Sequence, residues 1–396
     1  MRKSFNGLRV VAWSTLLVSA SLIGTSVAAQ ECEVKIGTVG PMTGGAAPWG
    51  LAVKGGAELQ AALVNNEGGL QMGNRKCKVK VVSFDSQCTA AGGAAASNHL
   101  ASENVVATLG PVCSTESTGF RPVAKRYGQV SFSTSYMKDV LTPEFPMMFH
   151  ALQGPGVFGP VMLKEAKAKF KFNSVVVLGP NDQGGTDAGR QISKIYTDLG
   201  VKANEEWYQR GTTNFAPIAA RVMNMNVEVL ELAATPPGDV ANVVKSMLDA
   251  GFKGIFGGLG GIGLSPVVNG AGGVDKIKGY FWLELMPLDD PGARKLRVDY
   301  ERVFKNPAPD NGLLYISSTA TEQILKGISA AGTDSDGEKV ATALRTLKPV
   351  SRYFGAGGWR GKSQYGVNQE LAFPIGMGVV ADGKNQGVTR IEIPSE

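Results

Sequence analysis

Histidine and cysteine are scarce in this chain, and their scarcity excludes several kinds of chemistry. The sequence holds two histidines, His99 and His150, and four cysteines among 396 residues. None of them are grouped with the spacing of a metal site, so we expect neither a metal nor a cofactor. A serine nucleophile needs a paired base, and neither histidine falls near Ser114 or Ser135 with an acid beside it. The sequence therefore favours ligand capture over catalysis, and His150 is interpreted as a hinge or surface histidine.

A tract of basic residues is also missing. The formal net charge of +6 falls to +3 when Arg2, Lys3 and Arg9, the basic residues of the first 28, are removed. Because the remaining excess is spread along the chain, we exclude nucleic acid as a partner. No later segment approaches the roughly 20 consecutive apolar residues that a membrane-spanning helix needs.

The first 28 residues have the pattern of a secretory signal. Their basic start precedes an apolar stretch over Val10–Ile23 and small residues at Ser26–Ala28, which predict cleavage before Ala29. An uncleaved membrane anchor is the alternative, but the apolar stretch is too short for a comfortable span. We therefore predict a periplasmic protein with a cleavable signal peptide, residues 1–28.

Length and cysteine count predict two lobes and two disulfides. About 368 residues follow the signal, too many for one ordinary core. Four cysteines in an exported chain form two disulfides, for which three connectivities are possible. Cys88 and Cys113 each follow an apolar strand, whereas Cys32 and Cys77 each precede one. Because these pairs lie at opposite edges of a parallel sheet, we predict the bridges Cys32–Cys77 and Cys88–Cys113.

Strand and helix patterns alternate along the mature chain, which predicts an α/β fold. We expect two Rossmann-like lobes with parallel sheets, joined by a three-segment hinge that lets the lobes close. The predicted first lobe takes residues 29–150 and 286–370, and the second takes residues 151–285 and 371–396. The segment Leu371–Val380 is interpreted as one strand that carries the chain into the second lobe.

Two loops at one predicted sheet edge make the candidate binding site. Ser114 follows a strand that ends at Leu109, and the loop Ser135–Met137 follows the strand Val130–Thr134. In a parallel sheet both loops emerge at the carboxyl edge, where open α/β sheets bind small ligands. Ser114 also precedes a predicted helix over residues 115–127, whose free N–H groups and dipole favour an anion. A plain N-cap is the alternative, and the two roles can coexist.

A glycine-rich segment offers a competing interpretation as a dinucleotide site. Gly258–Gly263 fits the pattern G-x-G-x-x-G after a strand, and Glu284 follows at the distance of a ribose-binding acid. The helix expected next, Leu264–Asn269, is broken by further glycines and offers a phosphate a poor dipole. An exported NAD-dependent enzyme is therefore a disfavoured alternative.

Four motifs, taken in their order and spacing, resemble one family. They are Val34–Gly44, Gly110–Thr115, Ala250-Gly251 at the end of a helix, and Gly366–Lys384. With them the chain resembles the type I periplasmic binding proteins that feed branched-chain amino acid ABC transporters, the Leu/Ile/Val-binding class. The resemblance implies a solute receptor that closes like a Venus flytrap and docks on permease subunits. We expect it to act as a monomer.

The resemblance assigns binding roles in the first lobe. Trp49 is expected to cover the side chain of the ligand. Ser114, with Thr115 beside it, is expected to bind a carboxylate through its hydroxyl and backbone N–H. Ser135 and Tyr136 are expected to add backbone donors from the next loop.

The positions that hold an ammonium group in amino-acid-binding members depart from the family pattern. Those members use Thr, Tyr and Glu, and a further tyrosine lines their pocket. The residues at or beside the matching positions here are Met137, Gln183, Gly184, Thr235 (or Pro236) and Gly260. Because an unpaired buried ammonium is costly, the hypothesis is a carboxylate ligand without an α-amino group, such as an aromatic or aliphatic acid.

Three further alternatives stay open. Asp182 or Glu284 could supply the negative charge that an amino acid needs, which keeps branched-chain-type amino acids as ligands. A ligand sensor that presents its closed form to a signalling receptor would use the same clamp. A scaffold protein without a ligand belongs to another class, and the Ser and Trp expected to face the cleft disfavour it.

Overall fold

A computed structural model describes Gly7, residues 32–286 and residues 290–393. The predicted signal peptide lies outside the described residues apart from Gly7. Residues 287–289, just after the predicted return of the chain to the first lobe at residue 286, lie outside them too. In the part that is described, no helix combines the length and apolar character that crossing a bilayer requires.

Strands recur along the whole described chain. In chain order they are β1 (Glu33–Gly40), β2 (Leu70–Met72), β3 (Arg75–Asp85), β4 (Ala107–Leu109), β5 (Val130–Ser133), β6 (Met148–His150), β7 (Ser174–Pro180), β8 (Lys202–Tyr208), β9 (Val229–Leu232), β10 (Ile255–Gly258), β11 (Gly279–Glu284), β12 (Val350–Ser351), β13 (Gly355–Ala356), β14 (Gly358–Arg360), β15 (Glu370–Ala372), β16 (Ile375–Ala381) and β17 (Lys384–Ile391).

Helices separate most of these strands. They are α1 (Ala47–Asn66), α2 (Ala90–Ser102), α3 (Ser114–Tyr127), α4 (Pro155–Phe170), α5 (Gln183–Asp198), α6 (Ala216–Asn224), α7 (Pro237–Asp249), α8 (Ser265–Ala271), α9 (Pro291–Phe304), α10 (Leu313–Ala331), α11 (Gly337–Thr346) and α12 (Lys362–Tyr365). A short 3-10 helix spans Val274–Lys276.

The strands form two large sheets. One has the order β14-β15-β6-β5-β4-β1-β3-β2, and the other has the order β17-β16-β11-β10-β9-β7-β8. The central strands of both sheets pair in parallel, while β2, β14, β16 and β17 pair antiparallel at the edges. We call each sheet with its packed helices a lobe. The predicted α/β class with two Rossmann-like lobes is confirmed, with antiparallel edges added to the parallel sheets.

The chain passes between the two sheets three times. It leaves the first sheet after β6, returns after β11, and leaves it again between β15 and β16. The segment predicted as one strand, Leu371–Val380, is instead split between the two sheets, because Phe373 and Pro374 separate β15 from β16. Proline has no backbone N–H and cannot continue a ladder, which explains the break. The residue boundaries predicted for the lobes stay a prediction.

The two predicted disulfides are present. Cys32 bonds to Cys77, and Cys88 bonds to Cys113. The first bridge joins the start of β1 to β3, and the second joins the loop after β3 to the residue before α3. The second bridge therefore fixes the start of α3 against the neighbouring strand loop.

His150 belongs to the hinge and is fully buried. Its Nδ1 lies 2.8 Å from Oε2 of Glu370, and its Nε2 lies 3.0 Å from the carbonyl oxygen of Ser135. The carbonyl can only accept a hydrogen bond, so Nε2 must carry a proton. Because His150 ends β6 and Glu370 begins β15, their contact ties together two of the segments that lead into the second lobe.

Glu231, in the middle of the second sheet, holds a loop of the second lobe in place. The hydroxyl of Tyr196 in α5 donates to its Oε2 at 2.8 Å, and the backbone N–H of Leu259 donates to its Oε1 at 2.7 Å. Burial raises the pKa of the Glu231 carboxyl to about 7. This carboxyl therefore holds Leu259 in place, and with it the next two residues of the loop, Gly260 and Gly261.

Replacing Glu231 with Gln should change how stability depends on pH. Between about pH 4.5 and pH 7 the native carboxyl keeps a proton that the unfolded chain has lost, so wild-type stability falls as pH rises through this window. Glutamine does not titrate, so E231Q should not lose stability in this way. As pH rises through the window, the free energy of unfolding of E231Q should increase relative to that of the wild type by up to about 3 kcal/mol.

Urea unfolding at a series of pH values measures this difference in the free energy of unfolding. The other carboxyl groups titrate in both proteins, so their contribution cancels when the two free energies are subtracted. E33Q, at an exposed position of β1, serves as the matched control and should track the wild type. A difference between E231Q and wild type that stays constant with pH would contradict the assignment.

Candidate ligand-binding site

A cavity lies between the two lobes at the carboxyl edges of both sheets. It encloses about 560 Å³ of space between protein atoms, part of which opens to solvent. The predicted site residues that line it are Trp49, Ser114, Thr115, Tyr136, Gly184 and Gly260. Both lobes thus contribute to one cavity, at the edge where open α/β sheets bind ligands.

The start of α3 forms one wall of the cavity. Cys113 is the N-cap residue and makes no side-chain capping bond, so the first N–H groups of the helix remain for a ligand. The buried carboxyl of Glu116 accepts hydrogen bonds from the backbone N–H of Val112 at 3.0 Å and from the hydroxyl of Ser86 at 2.5 Å. Burial raises the pKa of this carboxyl to about 7. Glu116 therefore braces the loop before Ser114 and lies outside the cavity wall.

Cys88, Cys113 and Glu116 lie close enough together to suggest a metal site, with their ligand atoms within 4.8 Å of one another. Both sulfur atoms are committed to a disulfide, however, and only a thiolate binds a metal. The cluster is a structural one.

Ser135 and Met137 do not line the cavity, although the sequence places them in the binding loop. The hydroxyl of Ser135 lies 3.0 Å from that of Ser133 and 3.2 Å from that of Ser117, and all three are buried. Met137 is 3% exposed and packs in a small apolar cluster with Met148. Both side chains therefore support the loop from behind, and Tyr136 between them faces the cavity.

Gln183 and Thr235 also lie outside the cavity wall. The amide of Gln183 donates to Asp187 one helical turn later at 2.6 Å. Thr235 is fully buried, and its hydroxyl lies 3.4 Å from the carbonyl oxygen of Leu178. Their neighbours Gly184 and Ala234 line the cavity in their place.

Several cavity residues were missed by sequence reasoning. They are Val112, Cys113, Thr134, Leu152, Gly185, Arg210, Ala234, Gly261, Leu285 and Leu313. Asp182, which the sequence offered as a possible source of negative charge, also lines the cavity. The leucines come from hinge segments and from the start of α10, which only the tertiary structure brings to the site. Arg210 follows β8, whose sequence KANEEWY lacks an apolar run. Assigning that strand would have placed Arg210 at the carboxyl edge.

Thr134 contributes an unused polar group. Its hydroxyl oxygen is buried and has no hydrogen-bond partner among the residues that the structure describes. The residue lines the cavity just after β5, close to the loop of Ser114. A buried hydroxyl without a partner costs free energy, so a ligand atom that binds it would be favoured.

Asp182 and Arg210 are the charged side chains among the described residues of the cavity wall. Nε and Nη2 of Arg210 lie 2.6 Å and 2.5 Å from Oδ2 of Asp182. The other carboxylate oxygen, Oδ1, caps α5 by accepting the backbone N–H of Gly185 at 3.0 Å. The pair is therefore neutral as a whole and is held by the backbone of the second lobe.

Gly184 marks the place where the lobes meet at the cavity. A Cβ atom at this position would lie 3.0 Å from Oγ of Ser114, across the cleft in the first lobe. Nearby, the backbone N–H of Lys138 in the first lobe donates to Asp187 of α5 at 3.1 Å. The structure therefore has its lobes closed, and glycine lets α5 approach α3.

With this architecture, comparison with known proteins identifies the family. A family model described as periplasmic binding protein matches residues 33–373, and the chain belongs to this family. A relative from Pseudomonas aeruginosa, the leucine-, isoleucine-, valine-, threonine- and alanine-binding protein, is 24% identical over 84% of this chain and 87% of its own length. The resemblance to the Leu/Ile/Val-binding class is confirmed.

Solved structures share the fold. The branched-chain amino acid transporter substrate binding protein LivJ from Streptococcus pneumoniae, in complex with isoleucine, has a TM-score of 0.76 at 17% identity and covers 91% of this chain and all of its own. A solute binding protein of an ABC transporter from Rhodopseudomonas palustris, in complex with p-hydroxybenzoic acid, also has a TM-score of 0.76, at 19% identity, covering 92% of this chain and 98% of its own. Both solved structures are of solute-binding proteins. The prediction of ligand capture over catalysis agrees with the matched family, which is one of binding proteins, and with the Pseudomonas relative, an amino-acid-binding protein.

The competing dinucleotide interpretation is not supported by the geometry. The helix after Gly263 is α8, which has only 7 residues. Glu284 is buried outside the cavity wall, where its carboxyl accepts a hydrogen bond from Nε1 of Trp282 at 3.2 Å. The segment instead supplies Gly260 and Gly261 to the cavity.

Enlarging Gly184 should block ligand binding in graded steps. Alanine places its Cβ against Ser114, and leucine pushes further into the space between α5 and α3. The affinity for a ligand that the wild type binds should therefore fall from wild type to G184A to G184L. The midpoint temperature of unfolding without ligand should change little. Isothermal titration and thermal unfolding measure the two quantities. G358A, where an added Cβ meets nothing within 4 Å, is the control, and full affinity in G184L would contradict the site.

Proposed function

We propose that this protein is the exported solute receptor of an ABC importer and captures a small carboxylate ligand that lacks an α-amino group. Aromatic and aliphatic acids are the expected class. The observation that supports this ligand class is the pairing of Asp182 with Arg210. Because Asp182 is paired, the described cavity wall has no free carboxylate for an ammonium group.

The carboxylate of the ligand is expected at the start of α3. The uncapped N–H groups and the positive end of the helix dipole favour an anion there, and the hydroxyl of Ser114 adds a donor. The unpartnered hydroxyl of Thr134 supplies a second donor nearby. Trp49 and Tyr136, with three leucines from the hinge side, offer apolar surface for the rest of the ligand.

An ammonium group has no comparable partner. Asp182 already accepts two N–H groups of Arg210 and one from Gly185. Glu284 lies outside the cavity wall, and burial raises the pKa of its carboxyl to about 8, so it is mostly uncharged at neutral pH. A buried ammonium without a counter-charge is costly, which disfavours α-amino acids.

Known relatives bind both kinds of ligand on the same fold. The LivJ protein binds isoleucine, and the Rhodopseudomonas protein binds p-hydroxybenzoic acid. The fold alone therefore leaves the ligand class open, and the charged groups of the cavity decide it in this proposal. Export through the signal peptide, monomeric action and docking of the closed form on a permease are parts of the same proposal, supported by family membership.

A ligand panel tests the proposal directly. Thermal unfolding of the mature protein should be followed with benzoate, 4-hydroxybenzoate, phenylacetate and 4-methylpentanoate, and with phenylglycine and leucine as the amino counterparts of the last two. A ligand that binds only the folded state stabilises it by about 2.7 kcal/mol at a hundredfold excess over its Kd. We expect the midpoint to rise with acids and to stay unchanged with amino acids. The reverse pattern would refute the proposed ligand class.

Replacing Thr134 with Val tests the carboxylate site. The change removes a buried hydroxyl that has no partner in the protein, so the ligand-free stability should be kept or slightly raised. Affinity for the acid should fall about tenfold, because a hydrogen bond to a charged group is lost. T108V is the matched control, since Thr108 has a buried unpartnered hydroxyl away from the cavity. Equal affinities in T134V and wild type would argue against a carboxylate beside Thr134.

A further inference from the structure

We propose that Arg210 determines the ligand class by occupying Asp182, the carboxylate that would otherwise hold the ammonium group of an amino acid. This inference rests on the proposed function and names the residue that selects acids over amino acids. Arg210 acts here as an internal substitute for the ligand's ammonium.

The two residues are held on neighbouring strands. Asp182 follows β7 and Arg210 follows β8, and these strands pair in parallel up to Pro180 and Tyr208. Both side chains are largely protected from solvent, with 18% of Asp182 and 30% of Arg210 exposed. Partial burial strengthens the pair relative to an exposed one, because the surrounding dielectric is lower.

Asp182 stands where an ammonium acceptor would be needed. A Cβ on Gly184 would lie 3.0 Å from Oγ of Ser114 and 3.6 Å from Oδ1 of Asp182, so the carboxylate anchor and Asp182 flank the same point. In an α-amino acid the ammonium is separated from the carboxylate by one carbon atom. An acceptor close to the carboxylate anchor is therefore the group such a ligand requires.

Arg210 removes that acceptor and also protects the anion site. Its Nε and Nη2 both bind Oδ2 of Asp182, while its Nη1 is buried with no hydrogen-bond partner within the described chain. Within the described chain the hydrogen bonds of the guanidinium therefore go to Asp182, while Asp239 interacts with Arg210 through its charge. If Arg210 were absent, the negative charge of Asp182 would repel a bound carboxylate and attract an ammonium group.

The test exchanges the ligand class by mutation. R210Q should lose about tenfold or more in affinity for 4-methylpentanoate and gain about tenfold or more for leucine, because one charged hydrogen-bonding partner is exchanged for another. R210M, whose unbranched side chain keeps the volume, is the second variant if R210Q folds poorly. Adding D182N to either variant should abolish the gained leucine binding, and Asn can still cap α5.

R221Q is the matched control. Arg221 lies in the same lobe and binds Glu206 through Nε and Nη2 in the same way, but away from the cavity. Its removal should leave both affinities unchanged. Isothermal titration gives the affinities, and thermal unfolding without ligand confirms folding.

The outcomes separate the inference from the proposed function. If the wild type binds leucine and none of the acids, the proposed function fails and the inference fails with it. If the wild type binds 4-methylpentanoate but the Arg210 variants keep that affinity and gain none for leucine, the inference alone is overturned. Leucine binding that survives D182N in the double variant would also overturn it, because Asp182 would then not be the acceptor.

Discussion

The N-termini of α3 and α5 face each other across the cavity, and the charges at this junction govern the site. Each helix presents the positive end of its dipole, because both sheets turn their carboxyl edges to the cleft. Asp182 caps α5, whereas α3 has no side-chain cap. Arg210 then compensates the charge of Asp182. The remaining positive potential lies at Ser114, where a ligand carboxylate would complete the arrangement.

Buried polar groups keep the loops around this junction in place. Glu116 binds the backbone before Ser114, Glu231 binds the backbone before Gly260, and His150 contacts the carbonyl of Ser135. In each case the residue lies outside the cavity wall and its polar group binds a backbone atom of a loop, as buried polar groups generally do. Loops fixed in this way let closure occur as a movement of whole lobes at the three chain crossings.

Sequence reasoning was most successful where the signal is local. Alternation of strands and helices predicted the fold class, and the placement of cysteines before or after strands predicted both disulfides. Ser114 was expected at the cavity because it follows a strand and opens a helix. Strand β8, which precedes Arg210, has a polar sequence without the apolar run that would predict it. The segment Leu371–Val380 reads as one strand, but Pro374 divides it between the two sheets.

The two-lobed architecture, the disulfides and the start of α3 at the carboxyl edge could be read from the sequence, because each depends on the order and period of neighbouring residues. Tertiary structure decided which side chains reach the cavity. Ser135 and Met137 turned inward to satisfy hydroxyls and apolar packing, and Tyr136 between them faces the ligand space. Asp182 and Arg210, 28 residues apart, met only because β7 and β8 pair in register. A contact of this kind depends on which strands lie side by side in the sheet, and no local sequence pattern encodes that.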